Sequence, residues 1–245
     1  MKKSLARKLS VFFAGIVFIT CLVLVGLTVM IFGNIEDRMK DVLYENTLQS
    51  YKTEVKSEVQ SAISSIEYYY NLSDSGKIDE ATAKKDALEA LRNLRYGDDD
   101  SGYFWVDDTD YNLVMHPILP EQEGTNRYDL TDKNGVKIIQ SIMKTAESGG
   151  GFNEFYFTKS DGKTVAPKVA YSQKFDKWNW VITTGIYSDD IHEIVNKSDG
   201  LRRIVKIFNG SANFLIVVGI VLVLVMLVIS YVIIKRLVKV LMRPL

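Results

Sequence analysis

The residues best suited to chemistry lie in one sixteen-residue stretch, GYFWVDDTDYNLVMHP, from Gly102 to Pro117. It combines several aromatic residues with three aspartates and one of the two histidines of the chain. Such a set could form a metal loop, a catalytic pocket or one wall of a small-molecule binding site. The spacing of the polar residues separates these possibilities.

The aspartates match only the beginning of a calcium-binding loop. Asp108, Asp110 and Asn112 occupy the first three ligand positions of such a loop. The sixth position holds Leu113 where the turn needs Gly, and the twelfth holds Leu119 where the bidentate Glu belongs. The sequence therefore predicts no calcium site and a solvated hairpin turn over residues 107–110, since Asp favours turns.

Other catalytic and metal motifs are incomplete or absent from the sequence. His192 and Glu193 begin an H-E-x-x-H zinc motif, but Asn196 stands where the second His is required. The sequence contains no G-x-S-x-G nucleophile motif and no Gly-rich phosphate loop. We therefore predict that the chain is not an enzyme and carries no metal or cofactor.

The aromatic residues alternate along a predicted strand. Tyr103 and Trp105 share one face of it, and Phe104 and Val106 share the other. Because both faces are apolar, we expect a sheet covered on both sides, by the long helix described below and by a cavity or second layer. His116 ends the next strand, where a lone histidine is either a core residue or a ligand contact.

Two uncharged runs are long enough to cross a membrane as helices, residues 9–33 and 214–234. The first could instead be a signal peptide, but it is longer than such segments and lacks a small-x-small cleavage site. Residues 1–8 and 235–245 each carry four Lys or Arg and no acid. The positive-inside tendency predicts that these tails are cytoplasmic and that residues 34–213 lie outside the cell membrane.

The net charge of the outer segment, residues 34–213, argues against nucleic acid as a partner. Residues 34–213 contain twenty-two Lys or Arg and thirty Asp or Glu, a net charge of about −8. This excess excludes nucleic acid, which needs a basic face, and leaves membrane lipid as the partner of the two spans. Arg202, Arg203 and Lys206 lie just outside the second span and argue mildly against the predicted orientation.

A long helix is predicted over about residues 34–70. Leu48, Val55, Val59 and Ile66 recur on one face, and no Gly or Pro occurs between Asn34 and Asn71. The length exceeds that of ordinary globular helices. We expect a stalk whose apolar stripe packs on a second copy, giving a homodimer through the helix and the spans, on its own sheet, or on both.

An α+β fold is predicted for the remainder of the outer segment, with shorter helices at about 79–94 and 133–148 and a sheet over about 103–187. The five strands, in a mostly antiparallel sheet, are Tyr103–Val106, Tyr111–His116, Phe152–Thr158, Val165–Phe175 and Trp178–Tyr187. From Ser188 a further helix is expected to lead into the second span.

Four segments together resemble a known family: LRYGDDDSGYFWVDDTDYNLVMHP, GGGFNEFYF, PKVAYSQKF and WNWVITTGIYSDDI. In this order and spacing they are similar to the single Cache domain, the PAS-like extracellular sensor domain of bacterial methyl-accepting chemotaxis proteins and of some sensor histidine kinases. The resemblance covers about Asn34 to Asp190. The closing segment, KRLVKVLMRPL, resembles the start of a HAMP linker, after which a receptor would continue into a signalling domain.

The resemblance implies a pocket above the sheet that binds a small ligand, commonly a short organic acid. Cationic groups can hold a carboxylate, Tyr and His supply directional hydrogen bonds, and Trp closes an apolar wall. The positions that match the pocket motifs of the family are Arg95, Tyr103, Trp105, His116, Lys168 and Tyr171.

Strand geometry raises a question about two of these residues. Strict alternation places Lys168 and Tyr171 on opposite faces of one strand, so both reach the pocket only if a bulge resets the register. Lys168 is then either a pocket cation or an exposed strand lysine. Arg95 is the stronger candidate because it ends a helix beside the aromatic strand, although two extra residues between Tyr96 and Gly102 could shift it.

The resemblance and the two spans together predict the sensor region of a transmembrane chemoreceptor. A sensor histidine kinase or diguanylate cyclase would have the same sensor region, differing only in its output domain. A membrane-anchored ligand-binding or adhesive module that needs no output domain remains the alternative from another class.

Overall fold

The helices account for most of the chain in the computed structural model, which describes residues 2–97, 100–159 and 161–241. Their bounds are α1 Lys2–Asp74, α2 Glu80–Asn93, α3 Ile138–Glu147, α4 Ser188–Lys197 and α5 Asp199–Leu241. Three predicted features fall partly outside the described residues: the two-residue insertion before Gly102, the turn around Ser160, and the proline of the HAMP-like segment.

The helix boundaries follow from capping and composition. The predicted helix over 34–70 is part of α1, which is longer in both directions because its glycines are isolated and no proline interrupts it. Helix α2 is capped by Asp79, whose carboxylate accepts a hydrogen bond from the Thr82 N–H at 2.9 Å. A break at Ser198 separates α4 from α5, where a single continuous helix was predicted.

The sheet confirms the predicted α+β class, with five antiparallel strands in the order β2-β1-β5-β4-β3. The strands are β1 Trp105–Asp108, β2 Leu113–Met115, β3 Gly151–Thr158, β4 Val165–Phe175 and β5 Trp180–Tyr187. The bounds of β4 match the prediction, whereas β1 begins and ends two residues later than predicted.

The shift of β1 changes the role of one aspartate. Asp107 pairs with Val181 and Asp108 pairs with Trp180, so both belong to the strand. Asp107 is fully buried, and the prediction that it lies in a solvated turn was wrong. Asp108 does organise the turn that follows, since its carboxylate accepts hydrogen bonds from the backbone of Asp110 and Asn112.

Each face of the sheet carries its own buried cluster, as alternation along the strands predicted. The first face packs on α1 and α2 through Phe104, Val106, Tyr171 and Ile182, among others. The second face packs on α3 and contains Tyr103, Trp105, Phe155, Ala170 and Val181. Adjacent residues of one strand therefore belong to different layers.

The apolar stripe of α1 is covered within one subunit. Val55, Val59 and Ile66 are fully buried and belong to the first-face cluster. Because these side chains pack on their own sheet, the stripe gives no support to the predicted packing on a second copy. The remaining face of this part of α1 is exposed and almost entirely polar, with Tyr68 as its large apolar exception.

The chain divides into two compact units, residues 44–195 and residues 1–43 with 196–245. The second of these contains apolar stretches of α1 and α5 that are long enough to cross a membrane. Their apolar side chains are largely exposed, including Ile207 at 67 % and Phe214 at 68 %. Within this unit the rings of Phe32 and Phe208 are 5.9 Å apart.

Candidate ligand-binding site

A buried lysine on β4 lies among aromatic rings on the second face of the sheet. The Lys168 side chain is 1 % exposed, and its ammonium donates a hydrogen bond to the Tyr103 hydroxyl at 3.0 Å. The ammonium also lies 4.4–5.7 Å from the centroids of four rings, which we call the aromatic cage: Tyr103, Trp105, Phe157 and Tyr187.

Strand pairing explains this position of Lys168. Lys168 lies opposite Phe155 of β3 and Tyr187 of β5, on the same face as Ala170. A buried ammonium is costly unless it is paired, and cation–π contacts offset only part of that cost. Among the residues that the structure describes, Lys168 forms no ion pair with a carboxylate. The alternative of an exposed strand lysine is excluded.

His116 contributes a second polar group to this cluster. Its ring lies 6.0 Å from Trp105 and 5.4 Å from Tyr103 between centroids. Nδ1 accepts hydrogen bonds from the backbone N–H groups of Ile118 and Leu119, each at 3.1 Å. The proton of the neutral ring must therefore be on Nε2, which is buried and has no hydrogen-bond partner within the described part of the chain.

The neutral state of His116 follows from its surroundings. Burial, followed by the charges of Lys168, Arg127 and Arg92, lowers the pKa of His116 to about 3. The histidine backbone N–H donates to Glu123 at 2.8 Å, and Glu123 forms a salt bridge with Arg92 at 2.7 Å. This chain of contacts fixes the imidazole against the cage, with Nε2 as a hydrogen-bond donor.

A buried ion pair lies further along the same face of β1. Arg127 donates to one Asp107 carboxylate oxygen through Nε at 3.1 Å and through Nη2. Burial raises the pKa of Asp107 to about 6, against the lowering effect of Arg127. With His116 neutral, Lys168 and Arg127 face a single carboxylate, so this buried set carries one excess positive charge.

Trp105 supplies a further donor between these groups. Its indole N–H and the Asp107 Oδ2 atom are both buried, and neither has a hydrogen-bond partner of normal geometry among residues 2–97, 100–159 and 161–241. Burial has the largest effect on the pKa of Asp107 and raises it, and Arg127 lowers it. The indole of Trp105 lowers this pKa further. The indole and the carboxylate are therefore close, although they do not form a hydrogen bond of normal geometry.

The structure brings together four of the six predicted site residues: Tyr103, Trp105, His116 and Lys168. Tyr171 lies on the opposite face, with its ring 5.0 Å from that of Phe152, because β4 keeps strict alternation. Arg95 is exposed, and its guanidinium donates to the Arg92 and Leu94 carbonyl groups at 2.8 Å. The structure does not place either residue in the cluster.

The sequence analysis missed four residues of the cluster: Asp107, Arg127, Phe157 and Tyr187. Asp107 could have been found, because it continues the alternation of Tyr103 and Trp105. Phe157 and Tyr187 are on predicted strands, but their contacts depend on the pairing of β3 and β5 with β4. Arg127 lies in an irregular segment that no periodic pattern describes.

A groove of about 450 Å³ reaches the cage from the side of α1 and α4. Tyr103 and Tyr187 form part of its lining, together with Tyr51, Tyr96 and Asp190. The same two tyrosines contact the Lys168 ammonium. They therefore separate the buried cluster from the surface groove.

The sheet has a helix layer on each face and buried hydrogen-bond donors in one layer, an arrangement suited to binding a small molecule. The family model for Single Cache domain 2 matches residues 47–199, and the chain belongs to this family. The predicted resemblance to the single Cache domain is confirmed.

Characterised relatives of the chain include two receptor types. It is 33 % identical to the sensor histidine kinase MctS of Rhizobium johnstonii over 71 % of this chain and 37 % of that protein. It is 27 % identical to the methyl-accepting chemotaxis protein McpP of Pseudomonas putida over 61 % of this chain and 27 % of that protein. The chain thus spans about a third of the length of these relatives.

Solved structures support the fold. A periplasmic sensor domain of a chemotaxis protein has a TM-score of 0.55 at 32 % identity, covering 57 % of this chain and 96 % of that one. A Cache chemosensory domain solved for its recognition of carboxylic acid has a TM-score of 0.55 at 26 % identity, covering 58 % and 97 %.

Proposed function

We propose that the chain is the sensor region of a transmembrane receptor that binds a short carboxylate. One observation carries the choice of ligand: among the described residues, a buried N–H donor without a partner, on His116, lies near an ammonium without a carboxylate partner, on Lys168. A carboxylate accepts several hydrogen bonds and bears the missing negative charge. It would satisfy both groups at once.

The surroundings limit the size and character of the ligand. Lys168, His116, Trp105 and Tyr103 are all at least 96 % buried, so a ligand that contacts them must be small. Phe157 and the rest of the aromatic cage would contact its apolar part. The carboxylic acid recognition described for a related Cache chemosensory domain agrees with this ligand class.

The proposal is tested with a matched pair of compounds, propionate and its neutral isostere propionamide. A ligand that binds the folded state raises the melting temperature in a concentration-dependent manner. We expect propionate or another carboxylate of similar size to stabilise the full chain in detergent, and the amide to leave it unchanged. Equal stabilisation by both compounds, retained in Lys168→Met, would contradict the carboxylate proposal.

The proposed arrangement in the membrane follows from the two apolar helices and the charges beyond them. We propose that α1 and α5 cross the cell membrane, with residues 1–8 and 235–245 in the cytoplasm and residues 34–213 outside. Labelling of single cysteines by a membrane-impermeant reagent in intact cells tests this. We expect labelling at Gln60 and protection at Lys235.

Signal transfer is proposed to begin at Tyr187. This residue contacts the Lys168 ammonium, its hydroxyl donates to the Thr158 carbonyl at 2.6 Å, and it directly precedes the first residue of α4. A bound carboxylate would draw the Lys168 ammonium and thereby alter the contacts that hold Tyr187. Movement of α4 is the expected response.

The output is proposed to be chemotaxis signalling through a HAMP linker and a signalling domain beyond residue 245, as in the methyl-accepting relatives. Kinase output is the second candidate, because a relative that is 33 % identical is a sensor histidine kinase. A chimera that joins residue 245 to a chemoreceptor signalling domain tests ligand-dependent output directly.

A homodimer remains part of the proposal, through the spans and the exposed polar face of α1. Single cysteines at Ser57 or Ser64, which are exposed, are expected to crosslink between subunits in membranes. A cysteine at Val55, which is buried against its own sheet, is the matched control and is expected to remain uncrosslinked. Absence of crosslinking at every exposed position would contradict the dimer.

A further inference from the structure

The unit that contains the apolar helices has a groove of its own. It lies between α1 and α5, has a volume of about 680 Å³, and is separate from the carboxylate site. Three cationic side chains line it: Lys40, Arg202 and Lys206. Asparagines, including Asn209 and Asn213, line it as well, and none of the lining residues that the structure describes is acidic.

The groove lies next to the apolar segments along both helices. Lys206 lies roughly 12 Å of helix rise before Phe214, where the second predicted span begins. Lys40 follows Asn34, the first residue after the other uncharged run, by roughly 9 Å of helix rise. The polar headgroup layer adds roughly 5–8 Å on each side of the hydrocarbon, and long Lys and Arg side chains extend over such distances. With both helices crossing the membrane as proposed, the long side chains of Lys40 and Lys206 reach the headgroup layer, and Arg202 lies one helical turn further out.

The chemistry of the lining fits one anionic group. Ammonium and guanidinium groups bind phosphate through charge-assisted hydrogen bonds, and amides donate further bonds. The Arg202 guanidinium already donates to the Lys197 carbonyl at 2.9 Å, which holds it on the groove side of α5. Leu201 and Val205 add apolar surface, which a phospholipid uses and a free phosphate does not.

We propose that this groove binds the phosphate headgroup of an anionic phospholipid such as phosphatidylglycerol. The inference rests on the membrane anchoring proposed above. It also accounts for Arg202 and Lys206, whose position outside the span is unexpected from the positive-inside tendency. In this explanation they are retained because they bind lipid.

The matched control is Arg203, the next residue of α5. Arg203 is exposed and does not line the groove, although it has the same charge and almost the same distance from the apolar segment. A groove-specific lipid site and a diffuse attraction of basic residues for anionic membranes therefore give different results for Arg202 and Arg203.

The test measures the binding of phosphatidylglycerol and phosphatidylcholine to the purified full chain by native mass spectrometry. We expect preference for phosphatidylglycerol, reduced about fivefold by each of Lys40→Gln, Arg202→Gln and Lys206→Gln, and unchanged in Arg203→Gln. Equal losses in Arg202→Gln and Arg203→Gln would overturn the proposal, and so would complete displacement of the lipid by millimolar inorganic phosphate.

Alkaline extraction of membranes distinguishes failure of this proposal from failure of the anchoring. If alkali releases the chain, the anchoring is wrong and the lipid site fails with it. If the chain stays in the membrane and the groove variants keep their lipid preference, only the lipid site is wrong. Carboxylate binding is expected to be unchanged in all four variants, which also shows that they fold.

Discussion

The two faces of the sheet are covered by helices in the same way but are composed differently. The face under α1 and α2 is closed by apolar side chains such as Phe104, Val106 and Ile182, which are fully buried. The face under α3 buries an equally tight aromatic layer together with Asp107 and Lys168. Alternate residues of the same strands build both layers.

The difference in composition indicates that one face of the sheet mainly stabilises the domain and the other mainly binds a ligand. An apolar layer gains free energy from every buried side chain, roughly 25 cal/mol for each Å² removed from water. Buried charges and unpartnered donors cost free energy, and replacing them by apolar groups is often neutral or stabilising. We infer that the first face mainly holds the domain together, while the second gives up part of its stability to keep donors ready for a ligand.

The largest effect is expected on the apolar face. Phe104→Ala removes a fully buried ring that packs near Tyr96, with centroids 5.5 Å apart. Such truncations cost about 3–5 kcal/mol of unfolding free energy because they lose transfer energy and leave a cavity. Chemical denaturation followed by tryptophan fluorescence measures this. Phe104→Leu, the control, should cost clearly less, and a loss below about 1 kcal/mol would contradict the role assigned to this face.

The next effect is expected on the polar face, in binding instead of stability. Lys168→Met keeps the length of the side chain and removes the charge that would hold the carboxylate. Loss of one partner of a desolvated charge pair costs on the order of 2–5 kcal/mol, so carboxylate affinity should fall by at least about thirtyfold. Isothermal titration measures the affinity.

The stability of Lys168→Met sharpens the comparison. Because the ammonium has no carboxylate partner among the described residues, we expect the unfolding free energy to stay the same or rise. A large loss of stability in this variant would show that the lysine supports the fold, and the two faces would then not differ in the way described.

The sequence was sufficient to predict which residues share a face, because alternation is a local property of a strand. It placed Tyr103 with Trp105 and separated Lys168 from Tyr171, as the structure shows. It predicted that both faces are covered but left open whether Lys168 is buried or exposed, since that depends on how β4 pairs with β3 and β5. Non-local packing of this kind leaves no periodic pattern in the sequence.

A smaller effect is expected in the pH dependence of stability. The pKa of His116 is lowered to about 3 in the folded chain from an ordinary value of 6.5. Between these values only the unfolded state binds the proton. The contribution of His116 to the unfolding free energy is therefore fully present above pH 6.5. Below that pH it falls by about 1.4 kcal/mol per pH unit, so that about 2 kcal/mol is lost at pH 5.

The comparison of wild type with His116→Gln isolates this contribution. Asp107 acts in the opposite direction, because its pKa is raised to about 6 and the folded state binds its proton first as the pH falls. Subtracting the variant removes that opposing term. We expect the stability advantage of the wild type to shrink from pH 7 to pH 5 in denaturation experiments. An advantage that is independent of pH would show that His116 is not held neutral.

The smallest effect is expected at Arg95, and it tests the boundary of the polar face. The sequence favoured this residue as the carboxylate-binding cation, but its exposed guanidinium caps carbonyl groups at the end of α2. Exposed contacts of this kind contribute little, so Arg95→Ala should change the unfolding free energy by no more than about 0.5 kcal/mol. Carboxylate affinity, measured by the same titration as for Lys168→Met, should also stay within about twofold of the wild type, since the guanidinium does not reach the aromatic cage.

A tenfold or greater loss of affinity in Arg95→Ala would mean that the segment around Arg95 rearranges on binding and brings this residue to the ligand. In that case the polar face would extend beyond the residues already packed in it, and the pre-formed donors would be only part of the site.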